Sequence, residues 1–341
     1  MPDVPTDVPI IDMSPAFAGG LEGRRKVAEA IDEACREIGF LIITGHGISD
    51  DLCERVLAMS REFFDLPAEE KLRVRQWEDS IPRGFSPIAA EAVSYSRLQL
   101  TPGDLKESFT AGPPDVPDDE YYRRGMARTL FAANRWPARP AGFEAIHREY
   151  FHTMERLGAS LMQLFALSLG LDENFFDDKI DRHTSVLRVI NYPAQVTDPI
   201  PGQLRAGEHS DYGTFTILRH EREHRPGGLQ VRNRAGNWID VRGVPNSFVV
   251  NLGDTMARWT NDRWVSTMHR VVNPPRLSDE DSRRLSLVFF HQTNYDTVVE
   301  CIPSCVGVGE EAKYPPVTFG DYLNLKFTRQ VTFERGAESQ T

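Results

Sequence analysis

Apolar residues recur at helical spacing in the first half of the chain and in short strand-like runs in the second. Within 24–38, Val27, Ala28, Ile31, Ala34, Cys35 and Ile38 fall on one face of a helix, and Gly39 ends it. Residues 40–44 (FLIIT) read as a buried strand closed by the turn Gly45-His46-Gly47. A second amphipathic helix covers 50–65, ahead of Leu66-Pro67, and a long one covers about 142–170, with Gly170 as its C-cap. Residues 80–140 carry many prolines and glycines and predict irregular structure. After about residue 183 the period shortens. The runs 185–192, 213–219, 228–232, 237–241, 246–252, 264–272 and 285–291 read as strands, most of them separated by Gly, Pro, Asn or Asp. Such a series predicts a sandwich or barrel with the helices packed outside it. A final helix at about 318–329 precedes a polar tail.

With 341 residues, 40% of them hydrophobic and 26% charged, a packed core is expected. The net charge of −11 argues against nucleic acid as a partner, because phosphate binding needs a basic surface. No apolar run approaches the roughly 20 residues that span a bilayer, which predicts no membrane partner. The acidic, proline-punctuated start MPDVPTDVPIIDM lacks the basic and apolar regions of a secretory signal, so a cytoplasmic location is expected. Cys35, Cys53, Cys301 and Cys305 fit free thiols; Cys301 and Cys305 lack the second pair that a metal or redox site would need. Nothing in the pattern sets an oligomeric state.

The candidate chemistry lies in the strand-rich half. His209 and Asp211 form H-x-D, and residues i and i+2 of a strand share a face, so both can aim at one ion. His269 falls on a face with Val265, Thr267 and Val271. Two histidines and a carboxylate suit iron(II) while leaving coordination positions open. Arg284 and Ser286 are again i and i+2, a guanidinium and a hydroxyl that can grip a carboxylate, and Tyr192 at the end of 185–192 can add a donor.

Two decoys need separating. A chance H-x-[DE] is expected about once in such a chain. His147-Arg148-Glu149 lies in the long helix, where i and i+2 point apart, and reads as a solvated face. His220-Glu221-Arg222-Glu223-His224 fits the zinc-peptidase pattern H-E-x-x-H. That chemistry needs a helix, and this charged segment between two strands reads as an exposed loop.

In this order the motifs resemble the isopenicillin N synthase-like branch of the non-haem iron(II), 2-oxoglutarate-dependent oxygenases. The resemblance runs through VPIIDMS, EACREIGFLIITGHGIS, FFDLPAEEKLR, LRVINYP, GEHSDYGTFTIL, GGLQV, NLGDTMARWTNDRWVSTMHRVV and RLSLVFF, nearly the whole chain. It implies a mainly β fold with flanking helices. The core is a double-stranded β-helix, or jelly roll, with a helical N-terminal region and a C-terminal helix. The implied division is an N-terminal region at 1–120, a linker and long helix at 121–180, the catalytic core at 181–300, and a C-terminal helix and tail at 301–341.

It also implies an enzyme that oxidises, and by preference hydroxylates, a C–H bond of a small organic molecule, using Fe(II), 2-oxoglutarate and O2 and releasing succinate and CO2. His209, Asp211 and His269 become the implied iron ligands. Arg284 and Ser286, helped by Tyr192, become the holders of the C5 carboxylate of 2-oxoglutarate. Phe290 and Arg188 match substrate-facing positions, and Phe85, Tyr95 and Arg97 are further pocket candidates from the irregular segment. Asp254 and His46 are expected to be structural. Isopenicillin N synthase and the aminocyclopropane-carboxylate oxidases keep R-x-S yet act without 2-oxoglutarate, so an iron oxidase or cyclase independent of it is the alternative. A zinc peptidase built on His220, Glu221 and His224 and a metal-free binding jelly roll are more remote.

Overall fold

The computed structural model describes residues 6–76, 82–195, 197–221, 228–275 and 282–338. In chain order the strands of its two larger sheets are β1 (Ile10–Asp12), β2 (Phe40–Thr44), β3 (Gly84–Ser86), β4 (Glu107–Ala111), β5 (Val186–Tyr192), β6 (Ala206–His209), β7 (Phe215–His220), β8 (Leu229–Arg232), β9 (Trp238–Asp240), β10 (Phe248–Leu252), β11 (His269–Val271) and β12 (Arg284–His291). They form an eight-stranded sheet, β1-β2-β10-β7-β12-β5-β4-β3, and a four-stranded sheet, β6-β11-β8-β9. Together these make the jelly roll.

Strand parity divides the large sheet into two faces. Leu285, Leu287 and Phe289 of β12, with Leu187 and Val189 of β5, join the core beneath the helices. The alternate residues Val288, Ile190 and Tyr192 turn inward, toward the small sheet. The two sheets meet through Phe40, Ile42 and Val249 of one and Leu229 and Val231 of the other. The long helix Phe143–Ser168 lies on the outer face, where Phe165 meets Phe215 and Trp264, and Phe151 meets Phe289. Gly170, at φ +71°, follows its C-cap Leu169, so the helix ends at the glycine as its sequence predicts.

Three local readings change. Residues 80–140 are not wholly irregular, because β3 and β4 extend the large sheet. β4 is buried at all five positions, so it shows no polar alternation to read. The expected strand 264–272 shrinks to His269–Val271, because Val265 donates its N–H to Cys35 and the Thr267 hydroxyl bonds Ile38. His147 is buried rather than solvated. Its ring stacks on Phe143 at 3.9 Å, Nδ1 donates to the Phe143 carbonyl at 2.6 Å, and Nε2 meets the Ser60 hydroxyl at 3.1 Å. The helical period did separate His147 from Glu149; Glu149 is the exposed one, bonded to Arg55.

Burial holds the His147 pKa down at about 4, against an ordinary value of 6.5. The unfolded chain therefore binds the extra proton between these values, and stability falls as pH drops through that window. The expected contribution is about 3 kcal/mol. In urea unfolding at pH 7 and pH 4, the stability advantage of the wild type over His147→Gln shrinks at the lower pH. An advantage that does not change with pH contradicts a neutral, buried His147.

Candidate metal centre

β6 and β11 pair so that His209 and His269 are direct partners, and their rings lie 4.3 Å apart. Asp211 follows β6 by two residues, and its loop is fixed from below. The Asp254 N–H donates to the Asp211 carbonyl at 2.8 Å, and Gly253 donates to Thr214 at 2.8 Å. A Cβ on Gly253 would stand 2.2 Å from the Gly213 carbonyl oxygen, so the approach of the two loops requires glycine. The Asp254 side chain accepts from Ser266, Tyr322 and Lys326, tying the loop to the C-terminal helix Phe319–Glu338.

The bonds around the three side chains leave one atom of each unused. His209 Nδ1 donates to Gly207 at 2.8 Å and His269 Nδ1 to Thr267 at 3.1 Å, which leaves both Nε2 atoms as lone pairs. Thr216 and Asn251, direct partners across β7 and β10, both donate to Asp211 Oδ2. Asp211 Oδ1 then lies 3.9 Å from His209 Nε2 and 3.8 Å from His269 Nε2, beyond hydrogen-bond range. Among the described residues, these form the group of His, Cys, Asp or Glu side chains spaced to hold a metal, with ligand atoms within 4.8 Å of one another.

Burial, then the neighbouring His269, lowers the His209 pKa to about 4, so the imidazole stays neutral. Burial works to raise the Asp211 carboxyl, but the two imidazoles and the Thr216 and Asn251 donors hold it below the usual carboxylate range. One anion and two neutral nitrogens in a buried pocket fit a divalent cation of borderline softness.

A second polar group lies on the inner face at the end of β12. Arg284 pairs with Tyr192 in register, and Ser286 lies two residues on. The Arg284 guanidinium has no hydrogen bond or carboxylate partner among the described residues, and burial lowers its pKa. Gly228 makes room for it, because a Cβ there would lie 2.3 Å from Arg284 Nη1. Burial pushes Tyr192 up to about 12 against the opposing pull of Arg284, so the phenol keeps its proton as a donor. The Arg205 guanidinium sits 5.7 Å from the Tyr192 ring, and among the described residues its hydrogen-bond acceptors are the carbonyls of Pro193 and Ser282. A half-buried cation with no anion among the described residues, beside a phenol and a hydroxyl, has the chemistry to bind a carboxylate.

Residues 183–293 match the family described as the 2OG-Fe(II) oxygenase superfamily. The chain belongs to that superfamily. Residues 8–139 match the non-haem dioxygenase in morphine synthesis N-terminal family. Over 324 residues the chain is 34% identical to the 2-oxoglutarate-Fe(II) type oxidoreductase hxnY of Emericella nidulans, covering 94% of this chain and 89% of that one. It is 32% identical to the homoarginine-6-hydroxylase 2-ODD-233 of Oryza sativa subsp. japonica, covering 94% and 96%. The full-length thymine 7-hydroxylase of Neurospora crassa in complex with alpha-KG superposes with a TM-score of 0.81 at 34% identity, covering 94% and 96%. The protein is therefore an Fe(II)- and 2-oxoglutarate-dependent oxygenase acting on a small organic molecule.

The structure also sorts the remaining candidates. Arg188 faces inward and is held by Glu91, Nη1 to Oε2 at 3.0 Å and Nη2 to Oε1 at 3.3 Å, with Nε on Thr110 at 3.1 Å. Phe290 is half-buried beside Val288 and Ile190. Tyr95 is half-buried and Arg97 exposed on the turn Val93–Arg97, which packs on β6; a Cβ on Gly207 would lie 3.1 Å from the Ser94 Cβ. Phe85 departs from expectation. It sits on the outer face among the rings under the helices, 6.0 Å from Phe63, and is screened from the inner pocket by its own sheet.

His220 ends β7 and Glu221 follows it, neither on a helix, and Glu221 accepts the Leu285 N–H at 3.0 Å; His224 lies outside the described residues. His46 is structural as expected, donating Nε2–H to Asn246 at 3.1 Å and accepting from Ile48 at Nδ1. Sequence reasoning missed Thr216, Asn251, Glu91 and the buried Asp104–Lys106 pair. Asp104 accepts the Gly207 N–H at 3.0 Å and so steadies the strand that carries His209. Such supporting residues have no motif of their own.

Proposed function

We propose that His209, Asp211 and His269 hold the iron and that Arg284, Ser286 and Tyr192 hold the C5 carboxylate of 2-oxoglutarate. The observation that carries this reading is the convergence of three unused ligand atoms on one inner face that also bears a half-buried guanidinium with no partner among the described residues. Iron with bound 2-oxoglutarate and O2 supplies the oxidising chemistry, which yields succinate and CO2 and oxidises a C–H bond of the substrate. The protein's own residues do the positioning. Gly207 and Thr267 fix the imidazole tautomers, Thr216 and Asn251 aim Asp211 Oδ1, and Tyr192 keeps its proton for the carboxylate. Hydroxylation is the outcome that the names of the homoarginine-6-hydroxylases favour.

The substrate in this reading is a small polar molecule. The inner face near β3, β4 and β5 carries Ser86, Ser108, Thr110 and the Arg188–Glu91 pair, with Phe290 as the apolar wall. An apolar substrate would strip these groups of water and offer nothing in return. The N. crassa hydroxylase, crystallised with thymine, and the homoarginine hydroxylases also carry polar substrates in their descriptions. Free, buried Cys35 and Cys53 support a reducing, cytoplasmic setting.

The test combines metal binding with turnover. Anaerobic Fe(II) titration gives one ion per chain, lost in His269→Ala and kept in His220→Ala; the reverse result removes this ligand set. A screen of small polar nitrogenous compounds, scored by succinate, yields product in step with succinate. Substrate oxidised without 2-oxoglutarate consumption would sink the cosubstrate assignment.

A further inference from the structure

His220 is the first histidine of the discarded H-E-x-x-H run, and the fold puts it beside the carboxylate receptor. It is the last residue of β7 and the direct cross-strand partner of Ser286, on the same inward face; Arg284 stands two residues earlier on β12. Its Nδ1 lies 3.4 Å from the Ser286 hydroxyl. Its Nε2 is buried and has no hydrogen-bond partner among the described residues. Burial and then the Arg284 guanidinium hold its pKa well below the ordinary range, so the ring is neutral and carries one proton.

That single proton constrains the pair. With the proton on Nδ1, the imidazole donates to Ser286 Oγ and the serine O–H is unused. With the proton on Nε2, the serine O–H goes to Nδ1 and the Nε2–H is unused. Either tautomer leaves one neutral donor beside a half-buried cation that has no anion among the described residues. A buried donor is costly to leave unmade, so the pair is built for an acceptor that arrives with the ligand. An imidazole that stays neutral also keeps a second positive charge from crowding Arg284.

We propose that His220 is a positioning residue for 2-oxoglutarate: through Ser286 it sets the donor that meets the distal carboxylate. This rests on the assignment of Arg284 to that carboxylate, and the experiment separates the two.

The iron-loaded protein is titrated under anaerobic conditions with 2-oxoglutarate and with 2-oxopentanoate. The latter has the same 2-oxo acid end and no distal carboxylate. His220→Phe is expected to weaken 2-oxoglutarate about tenfold and to leave 2-oxopentanoate unchanged. His220→Gln, which can still bond Ser286, recovers most of the loss. In a Ser286→Ala background His220→Phe adds little, because the two act as one unit. His220→Leu, smaller than Phe, gives the same pattern and covers the case in which Phe disturbs folding. Equal weakening of both acids, no change in either, or full additivity with Ser286→Ala overturns the proposal. Arg284→Met is the control for the underlying assignment. If it leaves the preference for 2-oxoglutarate over 2-oxopentanoate intact, that assignment falls; if it removes the preference while His220→Phe is silent, only the role of His220 falls.

Discussion

Asp211→Ala abolishes stoichiometric Fe(II) binding and reduces succinate formation to background. The carboxylate is the single anion of the proposed ligand set, and burial keeps the His209 imidazole beside it neutral by holding its pKa down at about 4. Removing Asp211 leaves a dication to be held by two neutral nitrogens in a buried pocket. The loss therefore exceeds the roughly 10- to 100-fold that follows when only a supporting hydrogen bond is removed. Asn251→Ala supplies that comparison within the same site. It deletes the 2.7 Å bond to Asp211 Oδ2 but leaves Oδ1 in place, so Fe(II) affinity falls about 10- to 100-fold and excess metal restores turnover. Fe(II) titration by equilibrium dialysis, together with succinate assays at rising metal, distinguishes the two variants. If Asp211→Ala retains one tightly bound iron, the ligand is another group.

His209 and Asp211 of the proposed metal site were legible because they stand two residues apart at a strand end. H-x-D needs only a strand end, and Arg284 and Ser286 do share the inward face of β12 opposite Tyr192. The same rule misjudged how His269 is placed. Its strand is three residues long, and His269 is aimed by pairing with both His209 and Val231 rather than by a run beginning at Val265. What the chain does not show locally is which side of an element is dry. His147 and Phe85 were both assigned the wrong surroundings. A helix face or strand face becomes solvent, core or pocket only when a distant segment packs on it, here Ser60 against His147 and Phe63 against Phe85. Thr216 and Asn251 were unreadable for a related reason. They come together through register between β7 and β10, which no short motif encodes.

Arg284→Met is expected to change cosubstrate binding and stability in opposite directions. The guanidinium is half-buried and has no carboxylate or hydrogen-bond partner among the described residues, so without ligand it is a partly desolvated charge that lacks a counter-ion there. Replacing it with an apolar side chain of similar length removes that desolvation cost, and the ligand-free variant resists urea at least as well as the wild type. The same change deprives a bound carboxylate of its counter-ion. Truncating one partner of a buried charge pair costs about 2–5 kcal/mol, which weakens 2-oxoglutarate roughly 30- to 5,000-fold. Arg284→Lys falls between the two, because a point charge cannot make the paired bonds of a guanidinium. Ligand-linked stability makes the contrast measurable. With iron present under anaerobic conditions, 2-oxoglutarate at 100 times its Kd adds about 2.7 kcal/mol to the wild type, and the same concentration adds little to Arg284→Met. A ligand-free Arg284→Met protein much less stable than the wild type would mean that Arg284 holds the β12 end together, because the loss of a ligand contact alone would leave the unliganded fold intact.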